Sequence, residues 1–266
     1  MCRVSAVSVA GGQWVRGTRM KPSPSYIHFR MGWQLLGPES PGQWFGKEQF
    51  RTFWDRLNDS GPLTSGYHDF SYRPNRCELA ELRGQREDGR TAFSKISCQP
   101  DELTVVEEWA ELTADEFAEK FTAVLKVWFE VFPQTFFVVQ TSTLRTLVQP
   151  TNFNDSRIFL GDRVLNLGPK VHDTFTDMPF KIGFGASCMK KVHDQELFID
   201  ATVTSWRDNR LVWTEVQGTA PLAAPLNAGH IEPARLLFTS CRTFLEGELL
   251  ALLTSYDIPG SSKANT

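Results

Sequence analysis

Apolar residues at every second position, giving way to apolar residues at every third or fourth, constrain this chain more than any single motif. Ile27, Phe29, Met31, Trp33 and Leu35 alternate with Tyr26, His28, Arg30, Gly32 and Gln34, the period of a strand in a sheet wetted on one side. The alternation returns at Phe180, Ile182, Phe184, Ala186 and Cys188, again at Leu197, Ile199, Ala201 and Val203, and from Leu211 to Val216 after the turn residues Asp208 and Asn209. These three segments predict a meander. Shorter strand candidates lie near residues 67–73, 76–83, 92–98, 102–109, 135–148 and 157–167, separated by Gly, Pro, Asn and Asp.

Helical spacing closes each run of strands. From Thr113 the chain reads T-A-D-E, a capping hydroxyl with Glu116 three residues on, and Phe117, Phe121, Val124, Leu125, Trp128 and Phe132 follow on one stripe before Pro133. The second long helix has Pro233 in its first turn and then Leu237, Cys241, Phe244, Leu245, Leu249, Leu252 and Leu253, ending before Pro259 and Gly260. A shorter helix is predicted at 46–58, where Phe50, Phe53, Trp54 and Leu57 share a face. Strands followed by a helix, rather than strict alternation, predict an antiparallel α+β fold. The sequence reads as two similar halves, residues 25–133 and 134–258, each an antiparallel sheet covered by a long helix, in the pattern of an internal duplication that the residues themselves do not repeat.

Charge argues against one class of partner. Residues 1–133 hold 16 basic and 18 acidic side chains and residues 134–266 hold 12 and 13, for a net charge of -3, so no global footprint for nucleic acid exists and the chain is not expected to bind it. Arg73, Arg76, Arg83, Arg86 and Arg90 form a local run, and Asp101, Glu102, Glu107, Glu108, Glu111, Asp115, Glu116 and Glu119 another. Both read first as solvated faces that partly neutralise each other, with an RNA or partner groove as the alternative. Residues 1–24 are expected to be a disordered tail, with Met1 or Met20 as the start, and 259–266 a second tail. Val4–Ala10 is too short and broken for a signal segment, and no window approaches the roughly 20 apolar residues of a membrane span. A soluble cytoplasmic protein away from membranes is the expectation. Five scattered cysteines, with Cys188 and Cys241 on apolar faces, imply no disulfide framework.

No group of residues forces a chemistry. Zinc spacing such as C-x-x-C or H-x-x-x-H is absent, so no metal and no cofactor is expected; His172, Asp173 and Asp177, and His193 with Asp194, read as polar loop residues. There is no phosphate loop, and Gly183 with Gly185 lies inside a strand, where it marks a bulge or a close backbone approach. A G-x-S-x-G elbow is missing, and Cys98 with His28 or His68 has no spacing that would test it as a dyad. The chain therefore leans away from an enzyme. His28 and Arg30, on the wetted face of the first strand, and the strand charges Arg145 and Asp200 are the candidate binding residues. If their strands adjoin, Arg145 and Asp200 are expected to pair, because a charge on a covered sheet face must be compensated.

Phe137–Val148, with Leu144-Arg145 at its core, resembles the L-R-Y-x-N strand of a sporadically distributed family of uncharacterised bacterial proteins of similar length. Leu197–Val203 and the closing helix, with Phe244 before Leu252 and Thr254, resemble that family's C-terminal L-x-D strand and last helix. The chain departs from the pattern at Thr146, where the family has an aromatic, and at Val148, where it has Asn. The resemblance runs over most of the chain from Tyr26 on. It implies an α+β protein with no established activity or catalytic residues, working beside another gene product. Taken together, the sequence points to a protein–protein interaction or binding module, since 20 Phe and 8 Trp suit an aromatic interface core. A homodimer is compatible with this. The alternative is a small-molecule binder or hydrolase-type enzyme with a cavity between sheet and C-terminal helix.

Overall fold

The alternating segment that opens the chain becomes β1 (Ser25–Leu36), near the middle of a nine-stranded antiparallel sheet. The computed structural model describes residues 25–36, 45–86, 89–109, 112–168, 179–192, 195–207 and 210–258. The expected tails, the cluster His172, Asp173 and Asp177, and the turns His193-Asp194 and Asp208-Asn209 lie outside the described residues. After β1 come α1 (Lys47–Asp59), β2 (Asp69–Arg73), β3 (Arg76–Gln85), β4 (Thr91–Cys98), β5 (Glu102–Glu108) and α2 (Ala114–Val131). Next are β6 (Phe136–Val148), the single turn α3 (Ser156–Ile158) running into a π-helical stretch (Phe159–Val164), β7 (Gly183–Val192), β8 (Gln195–Ser205) and β9 (Val212–Leu226). The chain closes with α4 (Ala234–Thr243), a second π-helical stretch (Phe244–Leu249) and α5 (Leu250–Tyr256).

The strand order is β2-β3-β4-β5-β1-β6-β9-β8-β7. The expectation of separate sheets is corrected here: β1 and β6 pair directly, Phe29 opposite Leu144 and Arg30 opposite Thr143. Each opening strand would otherwise leave an unpaired backbone edge, and joining the two removes both. Facing side chains follow the alternation. Phe29 stacks on Phe117 of α2 at 5.0 Å and meets Phe238 of α4 at 6.0 Å, and Trp33 meets Phe121 at 5.7 Å. A Cβ at Gly218 would stand 2.3 Å from Cys241 Sγ, so α4 rests on β9 where a larger residue would hold it off. Gly183 is a close approach as well, its Cβ position being 2.3 Å from the Val203 carbonyl oxygen.

Two expectations about local structure fail for identifiable reasons. Most of the segment expected as a strand at 157–167 is helical, through Val164, because the Asp155 carboxylate caps the turn by accepting from the Arg157 backbone N–H at 2.8 Å and also holds the Arg157 guanidinium at 2.6 Å. The closing helix is not a single α-helix. Leu237, Cys241, Leu245, Leu249 and Leu253 are buried at a constant interval of four, and since an α-helix advances 3.6 residues per turn, the π stretch supplies the widening that keeps this stripe facing inward. Phe244 is consequently half-buried and Leu252 is 42% exposed, where both were expected in the core.

One charged cluster lies inside the core. Lys120 on α2 and Glu107 on β5 are inaccessible and 2.7 Å apart. The Ser94 hydroxyl donates to Glu107 Oε1 at 2.6 Å and accepts from Lys120 at 2.9 Å, while the Tyr67 hydroxyl is 2.9 Å from Ser94 Oγ. Arg83 Nη1 stands 3.1 Å from Glu107 Oε2 without the alignment of a hydrogen bond. Burial pushes the Lys120 ammonium below the usual lysine range, against the attraction of Glu107. Burial also pushes the Cys77 and Cys241 thiols up to about 12, which leaves them unreactive near neutral pH.

Removing one member of this cluster strands the other. Lys120→Met is expected to cost about 3 to 5 kcal/mol in urea unfolding, and adding Glu107→Gln to it should return most of the loss. Equal stability of Lys120→Met and the parent would show that α2 is not held by this pair. A second expectation concerns acid. Glu116 is held below its ordinary value of 4.5 by the Thr113 backbone N–H and hydroxyl, at 2.7 and 2.8 Å. The unfolded chain therefore binds more protons there, so this contribution is complete above pH 4.5 and disappears as the pH falls through the lower folded value. Glu116→Gln should flatten the acid limb of a stability–pH curve, and an unchanged limb would rule out this cap as its source.

Candidate functional site

On the sheet face opposite Phe29 and Trp33, register builds a row of charge. His28 of β1 lies between Glu108 of β5 and Arg145 of β6, and Arg145 lies opposite Glu215 of β9. His28 Nδ1 is 2.5 Å from Glu108 Oε2, and Arg145 Nε donates to Glu215, whose other oxygen accepts from Gln217 at 2.6 Å. One pair further along β1, Arg30 reaches Glu102 at 2.6 Å. All four candidate binding residues, His28, Arg30, Arg145 and Asp200, thus share this face, with Asp200 in the cross-strand row of Arg30, Thr143 and Gln217. Asp200 nevertheless stands apart from Arg145, exposed on β8 opposite Ser187 and Gln217. The expected Arg145–Asp200 pair fails because β9 intervenes between β6 and β8, and Glu215 of β9 takes the guanidinium. The Cys98–His28 dyad also fails, since Cys98 is in phase with Ile96 and the core while His28 faces the other way.

The row ends in a cleft of about 540 Å³. A register shift between Tyr26 and His28 gives β1 one extra residue against β6, and the bulge turns Ile27 into the cleft lining. Trp109, just past β5, has φ of 52° and donates its backbone N–H to the Ile27 carbonyl at 2.7 Å. A bulky residue in the left-handed region is strained, and such strain persists where the surroundings impose it, often at sites of function. Trp109, Trp206, Trp213 and Phe180 supply rings to the cleft; Arg90, Arg145, Lys181 and Arg207 supply cations; Glu108 is the one carboxylate among the described residues of its lining.

Rings and cations are interleaved. The Arg90 guanidinium is 4.6 Å from the Trp109 ring centre and 4.8 Å from that of Trp206, Arg86 covers Trp109 at 5.0 Å, and Lys181 lies 5.8 Å from Trp213. Such contacts contribute about 0.5 to 2 kcal/mol each, depending on desolvation. Arg90 precedes β4 and Trp206 follows β8, elements five strand-to-strand steps apart in the sheet order. In a flat sheet that separation is about 24 Å at about 4.8 Å per step, so the sheet curls enough for its end loops to meet over the cleft. Lys181 and Arg207 make no ion pair among the described residues.

Of this site the sequence reading reached the strand charges but not the rings. Trp109, Trp206 and Trp213 each sit at or just beyond a strand end, a position that alternation does not interpret. The arginine run is only partly a solvated face: Arg83 turns to Glu81 and Glu107, whereas Arg86 and Arg90 stack on Trp109. Among the described residues no cluster of three or more His, Cys, Asp or Glu could hold a metal ion, and no helix is long and apolar enough to cross a membrane. No family model, curated protein or solved structure matches the chain.

A double-mutant cycle separates the observed pair from the expected one. Arg145 and Glu215 should couple by about 1 kcal/mol, given a guanidinium that is partly solvated. Asp200→Asn should change stability by less than about 0.5 kcal/mol, as exposed substitutions do. Coupling of Arg145 to Asp200 rather than to Glu215 would contradict the register.

Proposed function

We propose that this protein is a binding module whose cleft takes an organic anion bearing a flat ring. The observation that carries the reading is the juxtaposition, among the described residues, of three indoles with four cations and one carboxylate on a chain of net charge -3. Positive charge so concentrated in a hollow draws anions and raises their local concentration, and a guanidinium already seated between two indoles marks surfaces suited to flat groups. A cleft of about 540 Å³ falls within the range of small-molecule sites. The position differs from the sheet–helix cavity expected from sequence, since the cleft lies on the other side of the sheet. A protein partner is the second reading, favoured by Met189 and Phe198, which oppose each other at 62% and 49% exposure.

We also infer that the chain arose by duplication of one unit. Its support is the strand order, in which β5 back to β2 extend from one side of β1 and β9 back to β7 extend from one side of β6. Each opening strand is followed by a helical segment, a meander and a closing helix. The division at Pro133 follows from this reading, as does the proposal of a long helix over each half.

Calorimetric titration with 1-naphthalenesulfonate and with the 1-naphthylammonium cation tests the cleft. The sulfonate should bind and the cation should not, binding should weaken with added salt, and Lys181→Ala with Arg207→Ala should lower affinity by about tenfold, or 1.4 kcal/mol. Equal binding of both probes, or of neither, would overturn the reading.

A further inference from the structure

Resting on the cleft reading above, we propose that its ligand is a nucleoside phosphate. Glu108, in the cleft lining, is a residue that a site for a simple anion should lack. A carboxylate among cations repels a simple anion, yet Glu108 is held in the lining by His28 Nδ1 at 2.5 Å from its Oε2. Its Oε1 has no partner among the described residues. A carboxylate oxygen fixed in this way accepts hydrogen bonds, so the ligand carries hydroxyl or amino donors beside its charge. The acidic residue that takes ribose hydroxyls in dinucleotide sites does so for the same reason.

The cations ask for more than one negative charge. Arg145 is compensated by Glu215, but Lys181 and Arg207 are unpaired among the described residues. Phosphate esters supply two or more charges with oxygens that suit guanidinium and ammonium donors. The rings ask for a flat group: Phe180 is 81% exposed at the cleft, and Trp213 lines it beside Lys181. Aromatic faces stack on nucleic bases with little regard to which base is offered. Flat ring, hydroxylated middle and polyanionic end are together the description of a nucleoside phosphate. A free nucleotide is favoured over a unit within a single strand, because the chain has a net charge of -3 and its basic and acidic side chains are balanced in both halves.

The test titrates the full chain calorimetrically with ATP, UTP, adenosine, tripolyphosphate, 1-naphthalenesulfonate and an eight-nucleotide oligouridylate. ATP and UTP should each bind at least about tenfold tighter than adenosine or tripolyphosphate, a difference of about 1.4 kcal/mol. Glu108→Gln should weaken nucleotide binding about tenfold, which is 1.4 kcal/mol, and leave tripolyphosphate binding equal or stronger. A 2′,3′-dideoxynucleotide reads the same contact on the unaltered protein and should lose as much, which keeps the test open should the variant fail to fold. If naphthalenesulfonate binds and nucleotides bind no tighter, the ligand class is wrong and the anion cleft stands. If nothing binds, both are wrong. An oligonucleotide that binds far more tightly than UTP would overturn the free nucleotide in favour of a single strand.

Discussion

Everything in this molecule hangs on the pairing of β1 with β6. One meander runs from β5 to β2 on one side of β1, another from β9 to β7 on one side of β6, and without each other β1 and β6 would both be sheet edges. Placed side by side, they become the centre of one sheet, and the two meanders grow outward from them in opposite directions. The pairing also fuses the cores: Phe29 on β1 touches Phe117 of the first closing helix and Phe238 of the second. It brings His28 next to Arg145 on the other face, where neither half alone could assemble the row that leads to the cleft.

How much of this was legible depends on whether the deciding residues were neighbours in sequence. Alternation in β1 and the Thr113–Glu116 cap of α2 are local devices, and they read correctly because the partner of each residue lies two to four positions away. The partner of Arg145 is set by which strand lies beside β6, and nothing near Arg145 encodes that. The closing helix misled for another reason. Its apolar residues fit an α-helical stripe approximately, and only the four-residue interval from Leu237 to Leu253 hints at a wider turn. The buried pair left a signal that went unread: Lys120 falls among Phe117, Phe121 and Val124, and Glu107 falls in phase with Leu103 and Val105. Two charges of opposite sign, each in an apolar phase, are a pair waiting for a topology.

The cleft was the least legible part because it is made at the ends of strands. Arg90, Trp109, Trp206 and Trp213 come from four separate places in the chain and meet only because the sheet curls. Curling of this kind follows from strand twist and bulges, and the bulge at Ile27 stands at the cleft itself. Charge counting by halves missed the site for a related reason. The totals balance, but the acids of the first half are drawn to Arg30, Arg83 and Lys120, while four cations and a single described carboxylate line the cleft.

The burial of Lys120 has a chemical consequence. An amine with no exposed surface, bound to Glu107 and Ser94, cannot meet an acylating reagent while α2 is seated. The chain's surface lysines will react at once, and this one only when the helix lifts from β5. Its labelling rate therefore times an opening of the core that no property of the surface reports.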